Sequence, residues 1–247
     1  MKLRADLLLV ERRLCDSRTR AQALIMAGMV YSGERRIEKS GDMLLSQAHL
    51  RVVEAPRFVS RGGEKLERAV LEFAKFGLAV EGRVCVDVGA STGGFTDCLL
   101  QHGAAKVYAV DVGWGQLHSK LRVDARVVVR ERTNARELRA DSFDEPIDLV
   151  VVDASFIGIG KLMPAIASLL PSGGALVALV KPQFEAGRDE VARGRGVIRD
   201  VAVRAMAIAG AISEIETAGF AMQTSADSPI HGPRGNLEHL VYAKRLP

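Results

Sequence analysis

The sequence predicts an α/β protein built on a mostly parallel, doubly wound sheet, preceded by a small α+β module. Three observations carry this expectation. From residue 63 onward apolar runs alternate with helical patterns, the order of a parallel sheet covered on both faces. Runs such as Val177-Ala-Leu-Val180 hold no polar residue, as expected of strands buried on both sides. Residues 1–56 instead combine two short helical patterns with brief β-like pieces.

Leu7, Val10 and Leu14, then Ala21, Leu24 and Ile25, recur at helical spacing and predict two short helices between residues 3 and 28. Asp16-Ser17 can cap the second helix, and Gly28 can end it. The stretch "MVYSGERRIEKSGDMLLSQAHLRVV" then alternates β-like pieces with turns at Gly33 and Gly41. "APRFVSRGG" reads as a Pro/Gly-punctuated linker, placing domains at 1–56 and 63–247 with 57–62 between them. The second domain is expected to run helix 63–76 closed by Gly77, strand 84–88, helix 94–102, and strands 107–111, 126–130 and 148–153. Helix 160–170, strand 175–181, helix 199–218 and strands 220–226 and 238–245 complete it.

A chain of 247 residues that is 48% hydrophobic can bury a sizeable core. No apolar run reaches the roughly 18 residues that span a bilayer. The start, "MKLRADLLLVERRL", breaks its apolar residues with charges, unlike a secretory signal, so a cytoplasmic protein is expected. Cys15, Cys85 and Cys98 form no C-x-x-C pair, and His49, His102, His118, His231 and His239 form no ligand pair at helical spacing. No metal is expected. Residues 1–59 hold 11 Lys/Arg against 7 Asp/Glu while the remainder holds 23 of each, so the whole +4 excess lies in the first quarter. Such charge suits a phosphate-backbone binder, and also an ordinary solvated helix face.

"VCVDVGASTGGFTDCLL" joins the first strand of the second domain to its helix, with glycines where a ligand could approach the backbone. A dinucleotide fingerprint needs G-x-G-x-x-G, which Gly89-Ala-Ser-Thr-Gly-Gly94 lacks. Gly89-Ala-Ser91-Thr-Gly93 spells the G-x-S-x-G nucleophile elbow, with His231 or His239 in the right chain order. No earlier strand of this domain can supply its oxyanion-hole loop, however. The third reading is S-adenosylmethionine, whose signature of acid-x-Gly-x-x-x-Gly fits Asp87, Gly89 and Gly93. A second acid, Asp111, ends "KVYAVD", where it could accept ribose hydroxyls.

Two more predicted strands end on charge, at Asp153 and Lys181. A central strand cannot continue through Pro182, so Lys181 is expected at the carboxyl edge of the sheet, where open α/β sheets bind ligands. A structural Asp153–Lys181 ion pair is the other reading.

Arg4, Asp6, Leu7, Leu8, Ser17, Arg18, Ala21, Leu24, Ile25, Gly28 and Val30 resemble, in order, the S4 RNA-binding domain. That resemblance implies that Arg4, Arg18 and Arg20 lie at helix beginnings and contact phosphates. R-G-G-E-K-L at 61–66, D-V-G-A-S-T-G-G-F-T at 87–96, V-D-A-S-F-I at 152–157, V-K-P-Q-F-E-A-G-R at 180–188 and G-P-R-G-N-L-E at 232–238 resemble the TlyA (hemolysin A-type) ribosomal RNA methyltransferases. The catalytic part of that family is similar to the FtsJ-type 2'-O-methyltransferases.

The resemblance implies a Rossmann-like class I methyltransferase sheet behind an S4-like α+β domain. It implies S-adenosylmethionine as cofactor, and ribosomal RNA or ribosomal subunits, with cytidine riboses as targets, as partner. It puts a catalytic Lys-Asp-Lys-Glu set on Lys65, Asp153, Lys181 and Glu238. It puts cofactor contacts on Asp87, Gly89, Ser91, Gly93, Gly94, Phe95, Asp111, Val112, Asn134 and Asp153. A ribose hydroxyl is a weak nucleophile, and Lys181 is the candidate to orient it and accept its proton. The older hemolysin name implies instead a pore-forming cytolysin, which needs a membrane segment or strongly amphipathic helix that is not evident. A noncatalytic RNA-binding assembly factor would have no need of the four charged residues. No oligomeric state follows from the sequence.

Overall fold

The computed structural model describes residues 1–53 and 56–247. Residues 54 and 55, in the expected first domain and at the head of the expected linker stretch, lie outside the described residues. The chain divides into two compact units, Met1–Arg57 and Phe58–Pro247.

In the first unit β1 (Lys2–Arg4) leads into α1 (Ala5–Glu11). Helix α2 (Arg18–Met26) follows, then β2 (Val30–Ser32), β3 (Arg35–Arg36), β4 (Met43–Leu45) and β5 (Leu50–Val52). Ser17 caps α2 by accepting the Arg20 amide on its hydroxyl, and Gly28 turns the chain at φ +73°. Leu8, Leu9, Ala21 and Ile25 bury the helical stripes against Val30, Ile37, Leu44 and Leu50. The strands pair as β1 with β4 and as β3-β2-β5, all antiparallel.

The second unit holds the expected doubly wound sheet. Its elements are α3 (Gly62–Phe73), β6 (Val84–Val88), α4 (Gly94–Gln101), β7 (Lys106–Val110), α5 (Ser119–Arg122), β8 (Val127–Arg130), β9 (Leu149–Val152) and α6 (Met163–Leu169). There follow β10 (Ala175–Val180), α7 (Pro182–Glu185), α8 (Arg188–Arg193), α9 (Val201–Thr217), β11 (Phe220–Asp227) and β12 (His239–Arg245). The sheet order is β11-β12-β10-β9-β6-β7-β8, parallel except for β12, which runs antiparallel to both of its neighbours.

Alternation along each strand feeds two cores. Val86, Val88, Tyr108 and Val110 face one layer with Ile166, Ile208 and Phe220; Cys85, Val107 and Ala109 face the other with Leu66, Phe73 and Leu99. Each of the larger aliphatic and Phe side chains among them contributes about 1.5–3 kcal/mol when fully buried. Phe58 also enters the second layer, against Gly63, where a Cβ would lie 2.2 Å from the Phe58 ring. Pro182 does more than end β10. It occupies the first turn of the one-turn helix α7, where its missing N–H and fixed φ cost nothing.

Candidate active site

Strand register decides which residues meet at the carboxyl edge. Val88 pairs with Val110 on one side and Val152 on the other, so Gly89, Asp111 and Asp153 stand in a row just beyond the strands. Val180 pairs with His239 of antiparallel β12, so Lys181 and Glu238 emerge side by side.

These residues form two ion pairs. Lys181 Nζ lies 2.6 Å from Asp153 Oδ1 and also donates to Ser155 Oγ at 2.8 Å and to the Asp153 carbonyl at 3.2 Å. Ser155 Oγ and the Asp153 carbonyl take two of the three N–H donors of the ammonium, while Asp153 Oδ1 meets it as an ion pair without hydrogen-bond geometry. Lys65, in the first turn of α3, donates to Glu238 Oε2 at 2.5 Å. Lys65, Lys181 and Glu238 are buried and Asp153 is half-buried. Four charges removed from water would cost several kcal/mol each if unpaired, and giving each cation its own carboxylate offsets that cost. All four line one cavity of about 270 Å³, with Ser60, Gly94, Phe95 and Ser155 also in its wall.

A second cavity, of about 380 Å³, shares Gly89, Ser91, Asp153 and Ser155 with the first and adds Asp111, Val112 and Asn134. Asp111 braces its rim: Oδ2 accepts the Ser91 amide at 2.8 Å and Oδ1 the Gly113 amide at 2.7 Å, leaving further lone pairs for a ligand. Gly89 sits at φ +85°, and a Cβ there would lie 2.9 Å from the Asp153 carbonyl oxygen, so only glycine fits.

Asp87 and Gly93 line neither cavity. Asp87 is fully buried beneath the loop, where its Oδ2 accepts the Thr96 hydroxyl at 2.7 Å and its Oδ1 has no partner. Burial pushes this carboxyl up to about 7, against the Thr96 hydrogen bond that favours the charged form. Gly93, at φ +96°, makes room for Leu121, whose Cδ1 would lie 2.2 Å from a Cβ. Gly94 and Phe95 border the charged cavity, not the Asp111 cavity.

In the first unit Arg4 and Arg18 converge on Asp6, which is wholly buried. Arg4 donates to both carboxylate oxygens at 3.0 and 2.9 Å, Arg18 Nε donates at 2.9 Å, and Gln22 adds a bond at 3.0 Å. Arg4, foremost among these donors, holds the Asp6 carboxyl well below the usual carboxylate range. Arg20 is exposed at the start of α2.

A model described as FtsJ-like methyltransferase matches residues 58–245. The chain belongs to the FtsJ-like methyltransferase family. It is 42% identical to the 16S/23S rRNA (cytidine-2'-O)-methyltransferase TlyA of Mycobacterium tuberculosis, over 98% of this chain and 90% of the relative. It is 45% identical to Hemolysin A of Brachyspira hyodysenteriae, over 92% of this chain and 93% of the relative. A solved chain from Streptococcus thermophilus that carries a hemolysin name is 40% identical. The match covers 99% of this chain and 89% of the other, with a TM-score of 0.74.

Within this FtsJ-like domain, sequence reasoning passed over Ser155 and Gln116. Ser155 lies inside the V-D-A-S-F-I motif, but a lone serine carries no signature until register sets it against Lys181. Gln116 accepts the Ser91 hydroxyl at 3.2 Å and lines the Asp111 cavity from a loop with no pattern of its own. Among the described residues no helix is long and apolar enough to cross a membrane, and no group of His, Cys, Asp or Glu could hold a metal ion.

Proposed function

We propose that this chain transfers a methyl group from S-adenosylmethionine to the ribose 2'-hydroxyl of a cytidine in ribosomal RNA, acting in the cytoplasm on the RNA or on ribosomal subunits. The observation that carries the reading is the joining of two ion pairs, Lys65–Glu238 and Lys181–Asp153, to a glycine-turn cavity through shared walls. The cytidine-2'-O name of the Mycobacterium tuberculosis relative supports the choice of nucleoside and atom.

The residues present fit the cofactor. The Gly89 turn, packed too closely on the Asp153–Ala154 backbone to admit a Cβ, brings bare main chain to the cavity wall, and Val112, Ile157 and Leu162 give apolar walls beside the polar Asp111 and Asn134. Asp111 and Asn134 would hold the nucleoside end, and Gly89, Ser91 and Asp153 the amino-acid end. When bound, the cofactor supplies an electrophilic methyl on a sulfonium. Asp87 and Gly93 act from beneath, by holding the loop.

After its ammonium has given up one proton, the neutral Lys181 amine orients the ribose hydroxyl and accepts its proton as the new oxygen–carbon bond forms. Its own proton passes to Asp153 Oδ1, 2.6 Å away, and from that partly exposed carboxylate to water. Lys65 and Glu238 bound the same cavity and keep its charge balanced. Residues 1–56 serve as an S4-like RNA-binding domain, with Arg4, Arg18 and Arg20 facing phosphate, and 57–62 join it to the catalytic domain at 63–247.

Mapping 2'-O-methyl groups on ribosomal RNA from cells with and without the gene tests the proposal. A cytidine that loses its methyl group with the gene is the expected result. Identical maps would overturn it.

A further inference from the structure

A third cavity, of about 250 Å³, shares Ser155, Lys181, Pro233 and Glu238 with the catalytic cavity, and its wall also includes Phe156 and, from α7, Gln183 and Phe184. Two features of its wall have no use in methyl transfer itself. The side-chain oxygen of Gln183 is buried and has no hydrogen-bond partner. Buried acceptors in native proteins are nearly always paired, so an orphaned one beside a cavity awaits a donor from a ligand. Phe156 is 85% exposed and sits at φ +66°, a conformation rare for a bulky side chain, with its ring 5.4 Å from that of Phe184.

Given ribose methylation at Lys181, the base borne by the neighbouring ribose carbon must lie within a few bond lengths of Lys181. We infer that this third cavity receives the base of the target nucleotide and that Gln183 selects cytosine, its side-chain carbonyl accepting the 4-amino group. The terminal torsion of a glutamine is soft, so the amide turns to meet the incoming donor. Uracil presents a carbonyl oxygen at the same position. Two acceptors then face each other and the glutamine oxygen stays unpaired. The aromatic pair supplies an apolar wall for the ring.

The test uses the full chain and subunits from cells lacking the gene, carrying either cytidine or uridine at the mapped position. Wild-type protein should methylate the uridine form about 10- to 100-fold more slowly. Gln183→Leu should bring the cytidine rate down to near the uridine rate. Gln183→Glu, which can only accept, should keep the preference, and both variants should bind S-adenosylmethionine as wild type does. A Gln183→Leu protein with undiminished preference would overturn the role of Gln183, as would a Gln183→Glu protein with normal cofactor affinity and no preference. If the leucine variant does not fold, the glutamate variant decides. A mapped target other than cytidine also overturns it. No transfer by wild-type protein to either substrate would remove ribose methylation itself, and the base cavity with it.

Discussion

Lys65 and Glu238 stand 173 residues apart in the chain, yet Lys65 Nζ lies 2.5 Å from Glu238 Oε2 with both side chains buried. The pair joins the first turn of α3 to the residue that precedes β12. Replacing Lys65 by Met should leave a buried carboxylate without its partner, at a cost of about 3–5 kcal/mol in urea unfolding. Adding Glu238→Gln should recover much of that loss. Additive effects of the two substitutions would show that the pair is not coupled.

Lys181→Ala should lower methyl transfer by at least about 100-fold while leaving S-adenosylmethionine affinity within a few-fold. Its stability cost should be smaller than that of Lys65, about 1–3 kcal/mol, because the Asp153 side chain is 21% exposed and water can reach it. Lys181→Arg keeps the charge but not the compact three-donor geometry. An arginine variant that transfers methyl at the wild-type rate would exclude Lys181 as proton acceptor.

Asp111→Ala removes the acceptor of the Ser91 and Gly113 amides as well as any contact to a ligand. Calorimetry should show S-adenosylmethionine binding weakened by about 10-fold or more, since charge-assisted hydrogen bonds contribute about 1.5–3 kcal/mol. Unchanged affinity would rule out Asp111 as a cofactor contact.

Asp87 should give stability a pH dependence of definite sign. Its folded-state value, about 7, lies above the ordinary carboxyl value of 3.8, so the native state holds a proton that the unfolded chain releases between those values. The contribution is therefore fully present below the unfolded value and is lost as pH rises through about 7. Asp87→Asn still offers an acceptor to Thr96 and should be relatively more stable at pH 8 than at pH 5, by on the order of a few kcal/mol at most. Glu185 is likewise raised to about 7 by burial, so the wild-type slope should be flattened and not abolished. Equal slopes for the two proteins would refute a buried neutral Asp87.

Arg20→Ala should weaken binding to ribosomal subunits, leave cofactor affinity unchanged, and reduce the salt dependence by about one unit of slope. Arg4→Ala and Arg18→Ala should also destabilise the first unit, because both arginines hold the buried Asp6. Filter-binding across a salt series, with a thermal melt of each variant, separates the two effects.

Much of the fold was legible because its signals are local. The expected strand 84–88 and β6 coincide, the expected 175–181 ends one residue earlier at Val180, and Gly77 closes its helix at φ +87°. The motif around Gly89 likewise marks a strand-to-helix turn by its glycines alone. Buried strands need mostly apolar residues and tight turns need positive φ, so both are written in consecutive positions. The one-turn helices α5 and α7 escaped, since four residues are too few to show a period.

Partnership was decided by the tertiary structure. Lys181 and Asp153 were legible as strand-end charges, but that Glu238 would take Lys65 depends on Val180 meeting His239 across an antiparallel pair, a register set between distant segments. Asp87 matched the spacing of a ligand carboxylate, yet it points with Cys85 toward the layer that holds α4, because side chains alternate along β6 and the acid meets Thr96 there. Arg4 and Arg18 share a motif with Asp6, and only the packing of α1 on α2 shows that the arginines converge on that buried carboxylate. Local sequence determines what a segment can be, because backbone preference and burial pattern act over a few residues. Which side chains meet follows from how separate segments pack, and that geometry spans most of the chain.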